Sequence, residues 1–139
     1  MAKYGSANLI IAVDNASGTP VTMTSYITSI GSVEVEALLE ESHSFGDAWF
    51  EQLATGVRRA SDIVLGGFYD DTSTTGPDAI FNDVADGPAD TTRTITVTWG
   101  GSKTTSCETI ISKYSRSAVR NELTKFEVTL TPTGTVTEA

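Results

Sequence analysis

Residues 94–111, TITVTWGGSKTTSCETII, carry the plainest structural signal in the chain. Ile95, Val97 and Trp99 alternate with Thr94, Thr96 and Thr98, the period of a half-buried strand. Gly100-Gly101 then reads as a two-residue turn, because the positive φ angles open to glycine match the twist of a hairpin. On the return strand Cys107, Thr109 and Ile111 share one face. The chain is thus expected to be built on antiparallel β structure.

Working outward, similar patterns recur on both sides. Downstream, residues 113–120, KYSRSAVR, read as a basic connection. A last strand then points Phe126, Val128 and Leu130 inward, with Lys125, Glu127 and Thr129 outward. Upstream, Gly76-Pro77-Asp78 opens a helix, with proline in the first turn and an acid at the positive end of the dipole. Ala79, Ile80, Phe81 and Val84 supply its apolar stripe, and Gly87-Pro88 ends it. Near the start, Leu9, Ile11 and Val13 mark a strand, Asp14 to Pro20 a turn, and Val21, Met23 and Ser25 one face of a returning strand.

The stretch from Ser32 to Asp71 gives conflicting signals. Val33, Val35, Ala37 and Leu39 alternate as a strand would, yet Glu, Ala and Leu favour helix, and Asp47 stands where an N-cap would. The expectation is a strand over about Val33–Leu38, a long inter-strand loop over 39–56, and a strand over about Val57–Tyr69. Within the latter, Gly66-Gly67 implies a bulge or a close backbone approach. The predicted fold is mainly β: a β-sandwich or partly open barrel of about six or seven strands with one short flanking α-helix. One domain spans 1–139, with an N-terminal arm over 1–6 and a polar C-terminal tail over 132–139.

Composition narrows the function. A formal charge of −9 argues against nucleic-acid binding. The single cysteine excludes an internal disulfide framework. The run MAKYGSANLIIAV is too short in apolar residues for a signal peptide, and no stretch approaches the roughly 18 apolar residues of a membrane span. The expectation is synthesis in the cytoplasm and no membrane.

Catalytic chemistry is thin. His43 lies between Ser42 and Ser44, but chain neighbours cannot adopt triad geometry and there is no GxSxG elbow. Cys107 falls on an inward strand position. The aspartates over 70–90 lack the spacing of a calcium loop, although a calcium-dependent β-sandwich binding or adhesion module is the alternative reading. Glu40-Glu41 and Asp47 with Glu51 are exposed carboxylates without a perturbing environment. No enzyme, metal or cofactor is expected. Trp49 and Phe50 are large aromatics in a polar connection and need burial, in the chain's own core or against another chain. The Arg58-Arg59 pair, following an acidic segment, suits an ion-pair contact with Glu40 or Glu41 of a neighbouring copy.

In order and combination, EALLEESHSFGDAWFEQLATGVRRASDIVLGGFYDD, GPDAIF, TITVTWGGSKT and LTKFEVTLTPTGTVTEA resemble the major tail (tail tube) proteins of long-tailed, non-contractile bacteriophages. The resemblance runs from about Tyr4 to the C-terminus. It implies six subunits closing into a ring whose inner sheets form one barrel, with rings stacked into a tube that carries the genome to the host without binding it specifically. It also implies a tape measure protein inside, and terminator and distal tail proteins at the ends, in a virion assembled in the bacterial cytoplasm. The matching inter-ring loop is 39–56, with Glu40, Glu41, Trp49, Phe50, Arg58 and Arg59 as interface candidates, and the matching arms are 1–6 and 132–139.

Overall fold

A computed structural model describes residues 3–87 and 90–139. After a short 3-10 turn at Ser6–Asn8 come β1 (Ile10–Asp14), β2 (Pro20–Thr22), β3 (Ile27–Ile30), β4 (Val35–Ser42), β5 (Glu51–Ala60) and β6 (Ile63–Phe68). Helices α1 (Pro77–Phe81) and α2 (Asp83–Asp86) follow, then β7 (Arg93–Gly100), β8 (Lys103–Ser117) and β9 (Lys125–Glu138). Seven strands form one antiparallel sheet in the order β2-β1-β7-β8-β9-β6-β3, and β4 with β5 forms a separate two-stranded ribbon.

The sheet must curl. Its two edge strands, β2 and β3, are joined by the short link from Thr22 to Ile27. Five residues reach at most about 17 Å, whereas the outer strands of a flat seven-stranded sheet stand about 29 Å apart. The link is stitched to both sides of the gap. The Met23 N–H donates to the Ile11 carbonyl at 2.8 Å, and the Phe68 N–H donates to the Tyr26 carbonyl at 2.9 Å. Of the two architectures expected, the partly open barrel is the one found.

Alternation along each strand then fills the inside of the curl. Ile11 and Val13, Ile63 and Leu65, Ile95 and Val97, Cys107 and Ile111, and Phe126, Val128 and Leu130 are all buried, as their spacing predicts. Ile80 and Phe81 of α1 join the same core, and Phe81 lies near Phe126 and Tyr114, with ring centroids 5.8 and 6.2 Å away. Gly67 shows why its side chain is absent: a Cβ there would fall 2.0 Å from the Tyr26 carbonyl oxygen. The close approach expected at Gly66-Gly67 is real.

Several expectations need correction. The helix over 77–86 is broken at Asn82 into two short segments, with Gly87 closing the second; Pro88 lies outside the described residues. The turn between β7 and β8 sits one residue later than expected. Gly100 pairs with Lys103, so Gly101 (φ 63°) and Ser102 make the corner. Both glycines are also held close to the N-terminal arm: a Cβ on Gly100 would meet Tyr4 Cγ at 2.6 Å. Of that arm, Met1 and Ala2 lie outside the described residues, and residues 3–6 are exposed.

Residues 113–117 are not a connection but the end of β8, and only 118–124 form a loop. Likewise the tail over 132–139 is strand almost to its end, with Thr105 opposite Glu138 and the Ala139 N–H donating to the Thr104 carbonyl. Pro132 fits because it stands beside a register shift in the ladder. Both segments look like loop in sequence because ladder hydrogen bonds need no apolar side chains. The strand expected over Val57–Tyr69 is two strands, cut at Ser61-Asp62 and assigned to different sheets. The expected second strand ends at Thr22, so Met23 and Ser25 lie in the turn that leads to a further short strand, β3.

Candidate assembly surface

The segment expected to be a loop over 39–56 is instead most of a β-hairpin. β4 and β5 pair antiparallel from Val35 opposite Ala60 to Ser42 opposite Glu51, with a register shift between Ala37 and Leu39. At the tip the Ser44 N–H donates to Asp47 Oδ2 at 2.7 Å, and the Asp47 N–H returns to the Ser44 carbonyl at 3.0 Å. Asp47 thus closes a turn rather than capping a helix, and its N-cap signal had a different use. Of the strand expected over Val33–Leu38, residues 35–38 lie in β4 of this ribbon.

No residue of the ribbon is buried. Trp49 and Phe50 beside its tip are 85% and 71% exposed, and Phe45 in the turn is fully exposed. Neither expected aromatic folds back on the chain's own core. The His43 ring meets Phe50 edge-on at 4.5 Å between centroids, and both stand in solvent. Leu39, Leu53, Val35 and Val57 add further exposed apolar surface along the hairpin.

The predicted interface residues are arranged as follows. Glu40 stands opposite Leu53 and Glu41 opposite Gln52, in the distal half. Arg58 and Arg59 lie in the proximal half, opposite Ala37 and Glu36. Arg59 forms an ion pair with its own cross-strand neighbour Glu36, a contact that the sequence did not suggest. Arg58 has no ion-pair partner among the described residues. A groove of about 520 Å³ opens between this base of the ribbon and the end of β9, lined by Val35, Arg58, Arg59, Thr135, Val136 and Glu138.

Three of the six aspartates over 70–90 are engaged in structure. Asp70 accepts the Thr72 N–H at 2.7 Å and the Thr72 hydroxyl, which holds its carboxyl below the usual range. Asp78 accepts from the Tyr114 hydroxyl at 3.0 Å and pairs with Arg116 at 3.3 Å. Asp83 pairs with Arg93 at 2.7 Å. Among the described residues no group of three or more His, Cys, Asp or Glu side chains is placed to hold a metal ion. Burial, with a smaller contribution from Glu108, pushes the Cys107 thiol up, away from the thiolate needed for nucleophilic chemistry.

Arg93 is the structural residue that the sequence reading missed. It is 0% exposed, donates to the Ile80 carbonyl at 3.3 Å and to Asp83, and leaves its Nε without a partner. It ties the end of α1 and the start of α2 to the sheet. A signal was present: Arg93 has the same parity as Ile95 and Val97, so the strand register points it inward.

Neither a search with protein-family models nor one among curated proteins finds a match. Solved structures do match along nearly the whole chain. A chain in the tail of an empty gene transfer agent particle, of C6 symmetry, superposes with a TM-score of 0.77 at 19% identity, over 99% of both chains. The SPP1 tail tube matches with a TM-score of 0.68 at 10% identity, over 98% of this chain and 78% of that one. A chain of the anti-feeding prophage baseplate gives 0.76 at 10%, over 100% and 97%. The chain has the tail-tube fold. The resemblance seen in the sequence is borne out at this level, and the match takes in the ribbon as well as the barrel. Within the tail-tube fold the ribbon is the part of this chain with most unpartnered apolar surface.

Proposed function

We propose that the chain is a structural tail tube subunit. Copies close into rings of six, and the rings stack into the hollow virion tail through which the genome passes into the host. The observation that carries this reading is the ribbon: a two-stranded projection with an aromatic tip and no buried residue of its own. A two-stranded hairpin is marginal in water, and large exposed apolar patches mark contact surfaces. Glu40, Glu41, Trp49, Phe50, Arg58 and Arg59 belong to that contact surface.

The charge supports the same role. Basic residues that neutralise phosphates would brake a passing duplex in a salt-dependent way, and a net charge of −9 per subunit works against such contacts. The role is structural rather than catalytic. A tape measure protein in the lumen, and terminator and distal tail proteins at the two ends, are the partners this reading calls for. Nothing in the geometry favours the calcium-module reading: Asp78 and Asp83 are paired with Arg116 and Arg93, and the described residues bring no three acids together.

Negative-stain microscopy of the purified protein tests the proposal. Rings or tubes are the expected result. A species that stays monomeric at high concentration, even with a tube initiator present, would overturn it.

A further inference from the structure

We infer that Tyr4 is the latch of an N-terminal strap, and that its release opens an apolar cleft along the seam of the barrel.

The strap runs from Lys3 to Leu9. Ile10 of β1 stands opposite Thr98 of β7, so the chain before it lies beside the end of β7 and the turn that follows. No residue from 3 to 8 is buried. Two backbone hydrogen bonds stay inside the strap, from the Asn8 N–H to the Gly5 carbonyl and from the Leu9 N–H to the Ser6 carbonyl, both at 3.1 Å. Its hold on the barrel comes from side chains at its two ends. Leu9 packs against the core, and Tyr4 lies on the turn between β7 and β8.

Gly100 and Gly101 form the seat for that ring. A Cβ on Gly100 would fall 2.6 Å from Tyr4 Cγ, and one on Gly101 would fall 2.6 Å from the phenol oxygen and 3.0 Å from Cζ. The ring is therefore laid lengthwise over both residues, in the space that side chains would fill. Their φ angles of 143° and 63° already favour glycine, and the seat is a second reason for the pair. Tyr4 remains 54% exposed, as a ring with one face covered would be. A segment with so little buried contact opens at low cost, without unfolding of the barrel.

What the strap shelters gives the latch its purpose. A cleft of about 480 Å³ follows the seam, with Ser6, Ala7 and Leu9 on the strap side and Ile27 and Ile30 of β3 across from them. β3 pairs with β6 alone, so its other edge borders the cleft. None of the side chains lining the cleft is charged. With the strap down, Leu9 and its turn shield the isoleucines of β3. With the strap lifted, that wall is gone and apolar surface meets water, an unfavourable exposure that the latch prevents.

NMR relaxation on the unassembled chain tests the latch. In the unsubstituted protein the amides of Gly5 to Asn8 should give order parameters of about 0.85, and in Tyr4→Ala these should fall below about 0.6. Tyr4→Phe should keep them high, because the seat takes the ring and not the hydroxyl. An unsubstituted strap already below about 0.6 would overturn the inference. So would a Tyr4→Ala strap as rigid as the unsubstituted one, or a Tyr4→Phe strap as mobile as Tyr4→Ala. As a second measurement, the apolar dye anilinonaphthalene sulfonate is titrated into all three proteins. It should shift the amide resonances of Ile27 and Ile30 in Tyr4→Ala and leave them in place in the other two. Equal shifts in all three would mean that the strap does not control the cleft, and would also overturn the inference. Each of these outcomes concerns a single unassembled chain and leaves the tail-tube reading untouched.

Discussion

The curled sheet and the ribbon are made of the same kind of strand, yet they meet solvent in opposite ways. In β7, Ile95 and Val97 alternate with threonines and are buried, because seven strands curl around their inner faces. In β4, Val35 and Leu39 alternate in similar fashion and are about half exposed, because only β5 pairs with them and nothing covers either face. An alternating pattern specifies which side chains share a face. Whether that face is covered depends on what else arrives there, and for the ribbon nothing within this chain does.

Substitutions sharpen the contrast, beginning where the chain supplies its own partners. Phe81→Ala removes a fully buried ring between the helix and the barrel, and should cost about 3–5 kcal/mol of monomer stability in urea denaturation. A loss below about 1 kcal/mol would mean that the helix is not part of the cooperative core. Next is Arg93→Ala, which empties a fully buried site and strips Asp83 and the Ile80 carbonyl of their donor; about 3 kcal/mol is expected from the cavity and the lost hydrogen bonds together. The same assay on Asp83→Asn should show a loss at least as large, because it leaves the fully buried Arg93 guanidinium without its counter-charge.

Tyr114 links the helix to β8 and carries a pH dependence. Burial first, and the hydrogen bond to Asp78 second, push its phenol well above the ordinary value of 10.0. The folded state then holds a proton that the unfolded state has released, so stability present below about pH 10 is lost as the pH rises beyond it. Ultraviolet titration should show one of the four tyrosines ionising late. Tyr114→Phe should abolish that late step and cost about 1 kcal/mol near neutrality.

The smallest effect on the monomer belongs to the ribbon. Trp49→Ala should change unfolding free energy by less than about 0.5 kcal/mol, as for a surface substitution, while assembly suffers far more. Hydrogen exchange offers a parallel check. Amides of β4 and β5 should exchange faster than those of β7 and β9 in the monomer and become protected on assembly. Equal protection of ribbon and barrel in the monomer would erase the distinction between them.

How much was legible depended on whether a local pattern had one meaning. β1, β7, the first half of β8 and the first half of β9 were readable because apolar residues at every second position have no other use there. The helix start at Gly76-Pro77-Asp78 was readable from backbone chemistry alone. The ends of β8 and β9 were hidden, since in Lys113 to Ser117 and Thr133 to Glu138 only Tyr114 and Val136 pack against the core and the remaining residues are polar or glycine. Of the candidate surface, Trp49 and Phe50 stood out as aromatics without a local reason. The groove did not, because it joins residues 56–60 to residues 134–138, which only folding brings together.

By itself the sequence determined the alternation of the core strands, the placement of the helix and the acidic charge, because each of these is a local property of neighbouring residues. Tertiary structure decided that the sheet curls, that Ser61-Asp62 divides one apparent strand between two sheets, that Arg93 is buried, and that Ser32–Asp71 is mostly a free-standing ribbon. Those outcomes depend on strand order and on which faces are covered. A chain read one neighbourhood at a time carries no direct record of either.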